Sequence, residues 1–305
     1  MSSPPAPASA QGALMAGIAC YTLWGFLPLY LRAVAQAGPS SLEIIAHRAA
    51  WSVPWAGLLV LLAGQGRQVL AVFRTPRTLG LLTLSALLIA GNWGLFVWAV
   101  SHGHIMESSL GYYINPLLNM AMGAVLFRER LDGFGKTAIG LAAFGVAVQG
   151  FALGHLPWIG LGLAASFGAY GLIRKQVAAD AQTGLFVECL VLLAPAVAYL
   201  LWLQHSGAGH FLIGPKPAIL LVLAGPVTVV PLALFAWATR RLPLSTVGFL
   251  QFIGPTLQFI IGAEGGERLT PMLTASFALI WLGVAVFIAG AWRASRRIQA
   301  RAVEV

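Results

Sequence analysis

Leu95-Phe96-Val97-Trp98-Ala99 recurs as Leu234-Phe235-Ala236-Trp237-Ala238, 139 residues further on, and Pro116 recurs at the same spacing as Pro255. Glu129-Arg130-Leu131 recurs as Glu267-Arg268-Leu269 with one residue deleted, and more weakly Gly25, Leu29 and Val34 match Gly168, Leu172 and Val177. Chance pairing of apolar text accounts for the Leu and Val matches. It is a poor account of Trp, Pro and Glu-Arg-Leu in the same order. The chain therefore reads as two related halves.

The text between these marks is apolar. Hydrophobic residues make up 59% of the 305 and charged residues only 9%, where a soluble domain carries about a quarter charged. The apolar residues fall in blocks of about 20, the length that crosses a hydrocarbon core of about 30 Å as a helix. Such blocks are too long and too uniform for barrel strands. Spans are expected near 13–31, 42–63, 79–101, 105–127, 137–153, 157–173, 184–204, 217–239, 244–263 and 274–292. The predicted class is an all-α membrane protein of ten transmembrane helices. Each half holds five, so the second is inverted relative to the first, a pattern that puts a transporter's site near mid-membrane at the repeat interface. The expected organisation is a disordered tail at 1–12, repeats at 13–153 and 154–293, and a basic tail at 294–305.

The charges read as topology signals. Alternating sides from the N-terminus, one receives Arg67, Arg74, Arg77, Arg128, Arg130, Lys136, Arg174, Lys175, Arg240, Arg241, Arg293, Arg296, Arg297 and Arg301. The other receives only Arg32, Lys216 and Arg268. Cytoplasmic loops carry the Lys/Arg excess, so both termini are expected in the cytoplasm. The net charge of +9 forms no basic face of the kind nucleic acid needs, and no nucleic-acid partner is expected. Cys20 and Cys189 sit inside hydrophobic blocks and read as small buried residues. Ala33-Val34-Ala35 resembles a signal cleavage site, but no Lys or Arg precedes a block that is itself too long for a signal, so it stays a helix.

Spans four and nine carry matched polar faces. Steps of three and four give Ser109, Tyr112, Pro116, Asn119, Gly123 in one and Gly248, Gln251, Pro255, Gln258, Gly262 in the other. Each proline lies about 11 residues into its span, or about 16 Å deep. Proline removes a backbone donor, so the carbonyls of Tyr112 and Gln251 lose their helical partners. At membrane depth those oxygens need protein, water or ligand. Tyr112, Asn115, Asn119, Gln251 and Gln258 are therefore candidates to line a central cavity, with Pro116 and Pro255 as the helix breaks. The alternative is kinked packing with amides bonding between helices.

Span two opens with Glu43, His47 and Trp51 on one face, and Arg48 is the deepest charge in the chain. A charge there is a functional candidate by default, or it snorkels to the headgroups; Glu43 and Glu107 are its candidate partners. Glu43, His47 and Glu107 are also candidates for proton coupling, since His titrates near neutrality. Glu107 with His102 and His104 can equally be a solvated loop, and His-x-His alone is too weak for a metal site. Trp98 and Trp237 either face lipid or stack on an aromatic solute. Asn92 needs a partner at its depth and is a further candidate to bind the solute, and Glu188 is expected to reach Arg174 or Lys175.

His47-Arg48-x-x-Trp51-Ser52, Asn92-Trp93, Ser109 to Pro116 (SLGYYINP), Tyr170 to Lys175 (YGLIRK), Ala181 to Gly184 (AQTG) and Gly248 to Thr256 (GFLQFIGPT) resemble the RarD family of EamA-type drug/metabolite transporters, from about residue 13 to 293. The resemblance implies a ten-helix permease of the bacterial inner membrane with two EamA repeats. It carries across no assigned substrate residues. The resulting expectation is a secondary carrier that moves a small organic metabolite or drug-like solute by alternating access, with the lipid bilayer and small-molecule solute as partners, protons as a candidate coupling ion, and no cofactor or metal. No GxxxxGK[ST] loop is present to bind ATP. The rival readings are a membrane-embedded enzyme, which lacks a cluster of catalytic groups at one depth, and a sensor or interaction protein, which lacks an extramembrane domain.

Overall fold

A computed structural model describes residues 7–126, 133–239, 242, 250–267 and 269–303; side chains at 7–10, 116–117, 119–126, 152–153, 175, 236, 239, 291 and 294–303 are not described. Eleven helices account for nearly all of the described residues: α1 Pro7–Gln36, α2 Ser41–Leu62, α3 Gly66–Phe73, α4 Pro76–Ser101, α5 Ile105–Leu126, α6 Gly133–Leu153, α7 Trp158–Gln176, α8 Ala181–His205, α9 Pro215–Thr239, α10 Ile253–Glu264 and α11 Pro271–Val303. The chain is an all-α membrane protein. Seven of these helices, α1, α2, α4, α6, α8, α9 and α11, are long and apolar enough to cross a membrane among the described residues. α5 and α7 coincide with two further expected spans, and α10 with the described part of the ninth.

Local chemistry sets the helix ends. Ser40 caps α2 by accepting from the Glu43 N–H at 3.2 Å, and Thr270 does the same for Leu273 of α11 at 3.1 Å; each satisfies an orphan donor. Pro76 starts α4, where its missing N–H costs nothing. α1 begins at Pro7 and α11 runs to Val303, so helix extends into both stretches expected as tails. Ala, Arg and Gln dominate the end of α11, and these are strong helix formers. The short α3 was not among the expected spans.

The surface is that of a protein in lipid. Leu61, Leu62, Phe151 and Leu156 are all more than two-thirds exposed, a cost in water but not in hydrocarbon. The interior is organised by helices distant in sequence. α1 packs on α9 and α10, α2 on α8 and α9, α4 on α7 and α8, α5 on α7 and α10, and α6 on α11. Leu31, Ile44, Phe96, Ile105, Leu163, Leu221 and Ile261 join six or more of these helices in one cluster. In the absence of a hydrophobic force between helices in lipid, close contact depends on small residues. At Gly225 of α9 a Cβ would stand 2.2 Å from the Trp51 carbonyl oxygen of α2, so α2 and α9 touch backbone to backbone. At Gly111 of α5 it would stand 2.5 Å from the Gly160 oxygen of α7.

These contacts predict that Gly225→Ala destabilises the protein by about 1–3 kcal/mol, because the strand of backbone it meets cannot yield as a side chain can. Gly91→Ala, whose Cβ meets nothing within 4 Å, is expected to be neutral or slightly stabilising. Thermal unfolding in detergent separates the two; equal tolerance would contradict the packing.

Candidate functional site

Five helices converge on Arg48. It lies seven residues into α2, about 10 Å along the axis, and is buried. Its Nε donates to Thr228 Oγ1 of α9 at 2.7 Å. The Thr228 hydroxyl spends its own proton on the Ala224 carbonyl at 2.8 Å, which leaves its oxygen to accept from the arginine. Trp93 of α4 lies under the guanidinium, 4.3 Å from ring centroid to Cζ, a cation–π contact that partly offsets the buried charge. Tyr30 of α1 and Tyr112 of α5 are within electrostatic reach, as is Cys189 of α8. Arg48 Nη1 is buried and has no hydrogen-bond partner among the described residues, and the same holds for the other buried polar atoms named below as unpartnered. Gly225, one turn before Thr228, is what lets α9 come close enough for this bond.

Neither carboxylate expected as a partner of Arg48 reaches it. Glu43 accepts from the His210 backbone N–H at 2.6 Å and meets His210 Nδ1 at 2.8 Å. The ring of His210 is held against Gly38, whose φ of +108° closes α1 and whose missing Cβ leaves room for it. Glu107 stands 3.9 Å from His104, and its Oε1 is buried and unpartnered. His47 accepts from Trp51 Nε1 at 3.2 Å and stacks on Phe211 at 5.0 Å. The physical reason is reach: Glu43 points into the 206–214 connection, and Glu107 caps the opposite side of the bundle beside α7.

The two proline helices cross. Tyr113 OH and Thr256 Oγ1 are 2.5 Å apart, and the Tyr113 ring stacks on Phe252 at 6.3 Å. Gln251 and Phe252 form a turn immediately before α10 starts, and the proline at 255 offers the Gln251 carbonyl no helical donor; residues 243–249 lie outside the described residues. α5 continues through position 116; the side chains of Pro116 and Asn119 lie outside the described residues. Asn115 is buried with both amide atoms unpartnered. Gln258 donates to the Trp24 carbonyl at 3.2 Å while its Oε1 stays buried and unpartnered. Asn92, by contrast, spends its amide N–H groups on α7, to Leu163 O at 3.0 Å and Ser166 Oγ at 2.9 Å. It is a helix fastener.

Trp98 and Trp237 are not brought together. Trp98 stacks on His102 at 4.6 Å and on His104 at 5.7 Å, and packs on Trp158. Trp237 is 39% exposed and lies against Gly12. Gly12 lies in the second turn of the long α1, whereas Arg32 near its other end lies 3.8 Å from Glu267. Glu267 in turn caps α5, accepting from Ile105 N at 2.7 Å and Met106 N at 2.8 Å. Twenty residues of helix separate those ends, about 30 Å, so the tryptophans stand at opposite ends of the bundle. Burial pushes the Glu267 carboxyl above the ordinary carboxylate range, against the lowering pull of the two backbone donors and Arg32.

A second buried charge, Glu188 of α8, occupies the other half of the bundle. Ser85 of α4 donates to it, Arg174 Nε lies 3.7 Å away, and Tyr170 OH donates at 3.4 Å. The expected reach to Arg174 is present; the Lys175 side chain lies outside the described residues. Thr228, Ser85, Tyr170 and His210 were not singled out in the sequence. Each is an ordinary polar residue there, and only folding shows that it faces a charge. Among the described residues no group of three or more His, Cys, Asp or Glu gathers to hold a metal, and both cysteines are free and buried.

No protein-family model matches the chain. It is 42% identical over 291 residues to protein RarD of Escherichia coli K12, covering 94% of this chain and 97% of that one. It is 42% identical over 280 residues to an uncharacterized transporter of Vibrio cholerae, covering 91% and 92%. To the chloramphenicol-sensitive protein RarD of Pseudomonas aeruginosa it is 31% identical over 299 residues, covering 96% and 98%. A crystal structure of a protein 20% identical in sequence shares the fold with a TM-score of 0.56, over 93% of this chain and 98% of that one. With the helices described, these findings define a multi-pass membrane transport protein. The chain belongs to the RarD family.

Removing Glu188 strands Arg174 in the interior, so Glu188→Ala is expected to destabilise the protein by about 3–5 kcal/mol. The double change Glu188→Leu with Arg174→Leu is expected to recover most of that. Unfolding midpoints of the three proteins in one detergent check it; no recovery in the double variant would contradict the pairing.

Proposed function

We propose that the chain is a secondary carrier of the bacterial inner membrane, built as two inverted five-helix repeats, with both termini in the cytoplasm. It moves a small organic solute by alternating access along a path between the halves. One observation carries the reading. Exchanging the halves turns α1 into α7, α2 into α8, α4 into α9, α5 into α10 and α6 into α11. Under that exchange the pair α1–α9 becomes α4–α7, α5–α7 becomes α1–α10, and α2–α9 becomes α4–α8. The pairs α2–α8, α5–α10 and α6–α11 map onto themselves. The nine most extensive helix pairs among the described residues thus map onto one another, as two copies of one unit related by a two-fold axis would arrange them. The ends at which Trp98 and Trp237 stand support inversion, since equivalent residues of inverted units face opposite sides of the membrane.

The spare hydrogen-bonding capacity of Arg48, Asn115 and Gln258 supports a polar path at depth, because buried polar groups otherwise find partners. Tyr112 and Gln251 are placed on that path, and the matched prolines 116 and 255 beside it. With no ATP-binding loop in the sequence, the energy comes from a gradient of the solute or of protons. Of the three coupling candidates, Glu43 and His47 are engaged, while Glu107 keeps a buried unpartnered oxygen and is the group this reading favours for carrying a proton.

The test is release of unmodified solutes from proteoliposomes loaded with a bacterial small-molecule extract, followed by mass spectrometry. The purified protein is expected to accelerate release and support counterflow of a subset. Tyr112→Ala and Gln251→Ala are expected to slow it by about tenfold, equivalent to one lost contact of about 1.4 kcal/mol, without loss of membrane insertion. Wild-type rates in both variants would remove these residues from the path. Reporter fusions at either terminus are expected to be active only in the cytoplasm; a periplasmic signal from either would contradict the topology.

A further inference from the structure

We infer that Arg48 anchors the carboxylate of the transported solute, and that the solute is a small organic anion with a planar, aromatic or strongly apolar body. The inference rests on the carrier reading and names the substrate class of its site.

The two deep charges stand at equivalent places, Arg48 seven residues into α2 and Glu188 seven residues into α8. They are treated differently. Glu188 has a cation, a hydroxyl and a phenol around it. Arg48, 94% buried on a relative exposure of 6%, has no carboxylate within ion-pair distance among the described residues. It contacts Thr228 and Trp93, and Tyr30, Tyr112 and Cys189 lie within electrostatic reach; none of the five is a carboxylate. The nearest carboxylate on its own helix, Glu43, is held by His210. A buried guanidinium without a counter-charge is costly, and its planar fork of donors matches a carboxylate with two parallel hydrogen bonds. Here one bond is used by Thr228, and Nη1 has none.

The neighbourhood also describes the body of the solute. Trp93 already lies flat under the guanidinium. Tyr112 meets Phe96 at 5.6 Å and Phe167 at 6.4 Å edge-on, and Phe167 meets Tyr170 at 5.9 Å. Tyr170 reaches Glu188. A run of ring faces and edges therefore leads from the cation towards the carboxylate, and it favours a flat apolar group behind an anionic head.

The probes are indole-3-acetate and its neutral amide, indole-3-acetamide, which share a body and differ in charge. Thermal shift and competition with the purified wild-type protein are expected to show stabilisation by the carboxylate and about tenfold weaker binding of the amide, the worth of a charged hydrogen bond. Arg48→Lys is expected to keep part of the response and Arg48→Gln to lose it. Equal response to both probes, no response to the carboxylate, or a wild-type response in Arg48→Gln would overturn the inference; the wild-type arms decide it even where a variant fails to fold. The vesicle release assay separates this failure from that of the carrier reading. Release of neutral or cationic solutes by wild type and Arg48→Gln alike sinks the anion anchor alone. Release of nothing by wild type sinks both.

Discussion

A charge carried into hydrocarbon has to be met by protein, and in this chain each deep charge takes at least one hydrogen bond from the other half of the sequence. Arg48, in the first half, bonds Thr228 in the second; Glu188, in the second, accepts from Ser85 in the first. The donors and acceptors sit on α9 and α4, which are the equivalent helices of the proposed repeats. Glu188 also has Arg174 and Tyr170 of its own half, and Arg48 the Trp93 face of its own, but the Thr228 and Ser85 bonds add cross-half partners to ions that are costly when unpaired. The electrostatic requirement thus fixes which helices lie together as firmly as apolar packing does, since lipid offers a helix surface little reason to prefer protein.

The result is interleaving rather than two bundles side by side. Every major contact, α6 with α11, α2 with α8 and α9, α4 with α7, α5 with α10, joins one half to the other. Small residues allow it: Gly225 against Trp51 and Gly111 against Gly160 bring backbones together where any side chain would hold them apart. At one end of the molecule Glu267 ties the start of α5 to the end of α1 through Arg32. A rocking motion between halves has to rearrange contacts of this kind, and charge-assisted hydrogen bonds at helix ends exchange more readily than packed apolar cores.

Much of this was legible in the sequence. Block length and composition gave the membrane-spanning helices, because the hydrocarbon thickness leaves little choice. The Glu188–Arg174 pairing follows from the rarity of charges at that depth. What was not legible was partner choice. Arg48 had two candidate carboxylates near the outer ends of their spans, and it goes to a threonine 180 residues away and a tryptophan face instead. Asn92 looked like a binding residue and is a fastener to α7, while Trp98 and Trp237, alike in motif, lie at opposite ends. In the proposed inverted repeat a shared motif does not put its two copies at the same end, and a single polar residue on an apolar helix does not say which neighbour it will face.

The proposal stands on Tyr112 of α5, within electrostatic reach of Arg48, lying on a path that opens to water. The direct measurement is thiol labelling of Tyr112→Cys in a protein with Cys20→Ser and Cys189→Ser, using a membrane-impermeant reagent applied from each side. Labelling from at least one side, slowed by a transported solute, is the expected result. A cysteine there that reacts with no aqueous reagent from either side, in a protein that still inserts and transports, would contradict it.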